Sequence, residues 1–127
     1  MKVDYLWIGL GGFLGVNARY IMGRAVADRL GTAFPYGTLL VNLLGAFLVG
    51  VLLTLVTEHV LAEPVWRQLT VVGFLGGFTT FSAYTFETVA LLEEGRWGAG
   101  LGYVAVSNLL GVMFCVAGVV LTRLAVR

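Results

Sequence analysis

Four long apolar stretches, separated by three short gaps that gather most of the charges, constrain this chain more than any other feature. A helix that crosses a membrane needs about 20 mostly apolar residues to cover ~30 Å of hydrocarbon. Four stretches reach that length: about 4–30, with its dense apolar part ending near Met22, then about 36–57, 65–92 and 98–123. The gaps hold Arg24, Asp28 and Arg29 with Pro35, then Glu58, His59 and Glu63 with Pro64, then Glu93, Glu94 and Arg96. The expectation is an all-α integral membrane chain, one domain over 1–127, with no room inside it for a soluble unit.

Composition closes the other classes. Charged residues make up 12% and hydrophobic residues 59%, whereas a soluble domain carries about 25% charged residues. Such a chain cannot cover itself with a water-compatible surface. Its 18 glycines follow no triplet period and sit inside apolar runs, which excludes collagen and disorder. A net charge of +1 without a basic block excludes a nucleic-acid binder. The single cysteine, Cys115, excludes an internal disulfide framework and a multi-cysteine metal site. A signal peptide is set aside. The apolar stretch after Met1 and Lys2 runs past any small-residue cleavage site into Asn17-Ala18-Arg19, and three more spans follow.

Charge sets no orientation. With four spans, one side carries Lys2, Arg67, Arg123 and Arg127, and the other Arg24, Arg29 and Arg96, with Arg19 near it. Cytoplasmic loops normally hold the excess of Lys and Arg. Here two readings stand: loops too small to report a bias, or a chain that inserts both ways and pairs with an inverted copy of itself.

Polar side chains are costly in lipid and face protein or water, so they mark the inside of something. In the first span Gly12, Gly15 and Arg19 share a face. The glycines read as close helix packing; Arg19 either snorkels to the interface or draws anions. In the second, Thr38 and Asn42 share a face. An amide there either bonds a neighbouring helix or offers its hydrogens to an anion. The third span runs Gly73-Phe74-Leu75-Gly76-Gly77-Phe78-Thr79-Thr80-Phe81-Ser82-Ala83-Tyr84-Thr85-Phe86-Glu87. Paired glycines and crowded hydroxyls make a poor continuous helix and predict a break, since open helix ends in membranes form ion sites. The competing reading is a whole helix packed through Gly73 and Gly77. Phe78, Phe81 and Tyr84 are spaced by threes; such a stripe either packs or turns electropositive ring edges to an anion. In the fourth span Tyr103, Ser107 and Gly111 fall at four-residue steps, with Asn108 beside them. Glu87 is the one acid deep enough to matter, and the first span has only Asp4, at its very end.

The chain resembles the Fluc (CrcB-type) fluoride channels of bacteria. The matching residues are Gly12-Phe13-Leu14-Gly15 with Arg19-Tyr20, the run Gly37-Thr38-Leu39-Leu40-Val41-Asn42-Leu43-Leu44-Gly45, and Gly73 through Ser82. The resemblance implies four transmembrane helices per subunit with the third broken mid-membrane, an antiparallel dual-topology homodimer and two fluoride pores. It also implies a structural sodium ion at the dimer centre, not transported, held by the backbone carbonyls of Gly76 and Thr79. Asn42 would be the pore asparagine, Phe81 and Tyr84 the pore rings, and Thr38, Tyr103, Ser107 and Glu87 further positions on or near the fluoride pathway. Arg19 would attract the anion. The implied role is passive export of cytoplasmic fluoride through the bacterial inner membrane, with the lipid bilayer, fluoride, sodium and an inverted copy as partners; no enzyme activity is implied. One residue departs: the family has phenylalanine at the second ring, and Tyr84 adds a hydroxyl there. The alternative is a small four-helix, dual-topology multidrug-type proton/cation exchanger, which needs a carboxylate inside the bundle that the first span does not offer.

Overall fold

A computed structural model describes residues 3–127; Met1 and Lys2, and with Lys2 one of the charges counted above, lie outside the described residues. Helices account for most of these residues, and no strand occurs among them. Helix α1 spans Tyr5–Leu30, opened by Asp4, whose carboxylate accepts the Leu6 amide at 3.0 Å, and closed at Gly31 with φ +80°. That left-handed angle suits a residue without a Cβ. Helix α2 spans Tyr36–Thr57, the bounds expected from the apolar stretch. The third path starts at Pro64, a proline that needs no amide partner in a first turn. It runs through α3 (Pro64–Trp66), a π-helical segment (Arg67–Leu75) and α4 (Gly76–Phe78), then resumes as α5 (Phe81–Glu93). Helix α6 spans Trp97–Val126.

Among the described residues three paths are long and apolar enough to cross a membrane, 36–57, 64–93 and 97–126. The first stretch was expected to make a fourth. Helix α1 has the length, with 26 residues, but Asn17, Arg19, Arg24 and its glycines dilute it.

Helices in lipid gain no hydrophobic drive toward one another; they associate by close packing and hydrogen bonds. Backbone approach dominates here. A Cβ built on Gly73 would lie 2.6 Å from Ile8 O, and one on Gly77 would lie 2.7 Å from Gly12 O. On the α1 side the deep pair is Gly11 and Gly15, where a Cβ would fall on Leu69 O and Phe74 O. Of the face expected from Gly12, Gly15 and Arg19, Gly15 packs deep, while a Cβ on Gly12 would come no nearer than 3.8 Å, to Gly73 O. Gly50 of α2 and Gly118 of α6 form a second such seam, each backing onto the other helix's carbonyls at Cys115 and Phe47. The small core between α1, α2 and the third path is Val41, Leu75 and Phe78, surrounded by Ala18, Met22 and Leu48. Large apolar side chains such as Phe13, Ile21, Leu109 and Met113 stand on the outside of the chain.

Candidate functional site: an interrupted helix and a polar seam

At Thr79 and Thr80 the third path leaves helical geometry, with φ/ψ of −81°/153° and −147°/112°. Two extended residues inside a helical path strand backbone groups that must find partners. Asn42 supplies two. Its Nδ2 donates to Thr80 O at 3.0 Å, and its Oδ1 accepts from Thr80 N at 2.8 Å. The Thr80 hydroxyl caps the new helix by accepting from Ala83 N at 3.2 Å, as Ser and Thr do at helix starts. In a continuous helix Thr80 N would reach Gly76 O, and Ala83 N would reach Thr79 O. Both amides go elsewhere, so the Gly76 and Thr79 carbonyls are released from the ladder. Gly73 and Gly77 pack on α1 just before these two extended residues.

Asn42, Gly45, Gly76, Thr79 and Phe81 line one open groove of ≈ 440 Å³. Phe81 is 76% exposed on this face. Arg19 lies in a different groove, of ≈ 560 Å³, beside Tyr20, Arg24, Thr38 and Thr80. Tyr20 Oη accepts from Arg24 Nη1 at 3.2 Å.

The remaining sequence-selected residues gather where α2, α5 and α6 meet. Glu87 accepts from Thr38 Oγ1 at 2.6 Å and from Tyr103 Oη at 2.7 Å, one bond to each carboxylate oxygen. Tyr103 is fully buried. Its ring meets Tyr84 edge-on, with centroids 5.2 Å apart and planes at 75°, and Tyr84 meets Phe81 at 5.6 Å. The rings link the interruption to the carboxylate. Ser107 is half-buried, with no hydrogen bond among the described residues.

Two contributors were not picked out as site residues from the sequence. Thr80 had a legible signal, a hydroxyl just before a helical restart. Asn108, whose Nδ2 donates to Tyr84 Oη at 3.1 Å and to Val104 O at 2.8 Å, is legible as an amide inside an apolar span, but its partner is set by how α5 and α6 pack.

Comparison with known proteins addresses the whole chain. A family model described as CrcB-like protein, Camphor Resistance (CrcB), matches residues 6–119. A protein of Koribacter versatilis named "Fluoride-specific ion channel FluC" is 44% identical over 91% of this chain and 89% of its own length. Proteins of the same name from Solibacter usitatus and Chloroflexus aurantiacus are 46% and 47% identical, covering 95% and 94% of this chain and 99% and 95% of their own lengths. The relatives are named as ion channels, not enzymes, and the match runs from the first helix to the last. Matched by the family model over residues 6–119 and by these relatives over nearly their full length, the chain belongs to the CrcB family.

Proposed function

We propose that this protein is a fluoride-selective channel that lets cytoplasmic fluoride leave down its gradient, through the bacterial inner membrane. The observation that carries this reading is the near end-to-end similarity to proteins named fluoride-specific channels. The chemistry agrees. Fluoride is small and tightly hydrated, so a path must replace water with donors that do not trap it. Neutral hydroxyls, amides and ring edges meet that need, the ring edge being electropositive without being ionic. Asn42, Phe81, Tyr84 and Ser107 are the groups assigned to meet the anion, with Arg19 drawing anions toward them, and Thr38 and Tyr103 line the path with their own hydrogens committed to Glu87. Asn42 can serve there while clamping Thr80, because the clamp uses only one of its two amide hydrogens. Glu87, anchored by Thr38 and Tyr103, holds two of these hydroxyls in place.

We further propose an antiparallel dual-topology dimer, with the third helix broken mid-membrane in each copy. Near-equal Lys and Arg numbers on the two sides support insertion both ways. A sodium ion at the centre of such a pair is supported by Gly76 and Thr79 lining one open groove with carbonyls that have left the helical ladder, of which two inverted copies would offer four. Bound there, the ion would neutralise carbonyl dipoles that have no partner in lipid. The exchanger reading would need an acid within the first span, and the one acid there, Asp4, is the helix cap.

Fluoride efflux from liposomes loaded with fluoride or chloride tests the function; fluoride efflux with little chloride efflux is expected, and equal rates would remove the selectivity. Terminal tags that report a single orientation would remove the inverted dimer.

A further inference from the structure

Three hydroxyls meet where α2, α5 and α6 converge, and their hydrogens differ in availability. Those of Thr38 and Tyr103 are donated to the Glu87 carboxylate. Tyr84 does the reverse: its oxygen accepts from Asn108 Nδ2 at 3.1 Å. The other amide hydrogen of Asn108 goes to Val104 O, one turn back in its own helix, at 2.8 Å. Asn108 therefore has no donor left, and the hydrogen of Tyr84 must point away from it. Among the described residues nothing accepts that hydrogen. A polar hydrogen without a partner is costly in a membrane span and marks a protein or water-filled face.

We infer that the Tyr84 hydroxyl is a specificity-determining donor to the permeating anion, and that Asn108 is the positioning residue that turns it toward the path. The inference rests on the fluoride-channel reading. Phe81 and Tyr103 hold the Tyr84 ring from two sides. The phenol oxygen lies on the ring axis, so a ring flip leaves it in place; only the C–O torsion decides where the hydrogen points. Asn108 occupies one side of that oxygen and leaves the other for a donated bond. An O–H binds an anion more strongly than a ring edge does, and stronger binding slows exit. This chain should accordingly saturate at lower fluoride, and pass fewer ions at saturation, than one with a bare ring at the position.

The test measures initial fluoride flux against fluoride concentration in liposomes for the parent, Tyr84→Phe, Asn108→Leu and the double variant. Tyr84→Phe should raise the half-saturating concentration about tenfold, equivalent to ~1.4 kcal/mol, with maximal flux equal or higher. Asn108→Leu should shift it the same way by less, and should add nothing once the hydroxyl is gone, because coupled residues are not additive. An unmoved half-saturating concentration in Tyr84→Phe overturns the role of the hydroxyl. An Asn108→Leu shift of equal size with and without the hydroxyl overturns the positioning role. No fluoride flux through the parent sinks the channel reading, and this inference with it.

Discussion

Between Arg67 and Phe78 the third path lies against α1 backbone to backbone, whereas from Phe81 to Glu93 it meets α2 and α6 through side-chain hydrogen bonds and ring contacts. The first half is held by shape. Gly11, Gly15, Gly73 and Gly77 let two main chains approach, and any side chain there strikes atoms that cannot swing aside. The second half is held by chemistry, through Thr38 and Tyr103 on Glu87, Asn108 on Tyr84, and Asn42 on the turn between the halves. A seam of glycines offers no donors and tolerates no substitution. A seam of hydroxyls tolerates substitution in volume and is sensitive to which atom donates. A channel of the kind proposed needs both, a rigid part that sets position and a polar part that could meet the ion.

The largest effect should come from breaking the first half. Gly15→Val places branched carbons on the Phe74 carbonyl, and overpacking costs about 1–3 kcal/mol even where neighbours can yield; a backbone neighbour yields less. Size-exclusion chromatography in detergent should lose the monodisperse peak. Gly9→Ala, in the same helix with nothing within 4 Å of the added carbon, should behave like the parent.

Next in size is the turn itself. Asn42→Leu removes both partners of the Thr80 backbone, and a buried backbone group without a partner costs about 1–3 kcal/mol. Detergent thermal melts should show a clear fall, smaller than the loss in Gly15→Val. Asn42→Asp sharpens the result: it still accepts from Thr80 N but opposes Thr80 O, and it adds a like charge to the proposed anion path. It should therefore retain more stability than Asn42→Leu while blocking fluoride flux. Undiminished flux in the aspartate variant returns Asn42 to a purely structural clamp. A smaller change is expected for Thr80→Ala, which removes the cap on Ala83 N, typically worth ~1 kcal/mol.

The two halves also differ in how far they can be read from sequence. Apolar length and charged gaps place all four helical paths within a few residues, and the second, Tyr36–Thr57, falls on the bounds read from the sequence. Glycine pairs and crowded hydroxyls, both of which weaken a helix locally, flank the two extended residues Thr79 and Thr80. The π-helical turn over Arg67–Leu75 left no mark, since a shift from i−4 to i−5 bonding changes no composition or simple period. Spacing from Gly12 to Arg19 picks out Gly15, which packs deep, but misses Gly11; helical period ranks faces without saying which residues on them come closest to a neighbour. The bond between Thr38 and Glu87 joins residues 49 apart in sequence. It depends on the register of α2 against α5, which no local pattern carries.

The smallest effect on the fold should come at Phe81, and there the comparison is sharpest. Phe81 opens the second half but is 76% exposed, and its ring contacts Tyr84 rather than the core. A buried phenylalanine costs 3–5 kcal/mol when truncated; a residue as exposed as this, changed to isoleucine, should stay within about 0.5 kcal/mol. Isoleucine keeps a bulky apolar side chain and loses the ring quadrupole. If Phe81 only packs, flux and melting should both remain at parental values. If its edge meets the anion, fluoride flux should fall sharply while the melting temperature and the elution volume of the assembled protein stay unchanged. That separation of flux from assembly is not expected in the first half, where glycines set main chain against main chain and Leu75 and Phe78 are buried in the core. Parental flux in Phe81→Ile would make the rings a packing stripe and leave the hydroxyl and amide donors as the whole of the path.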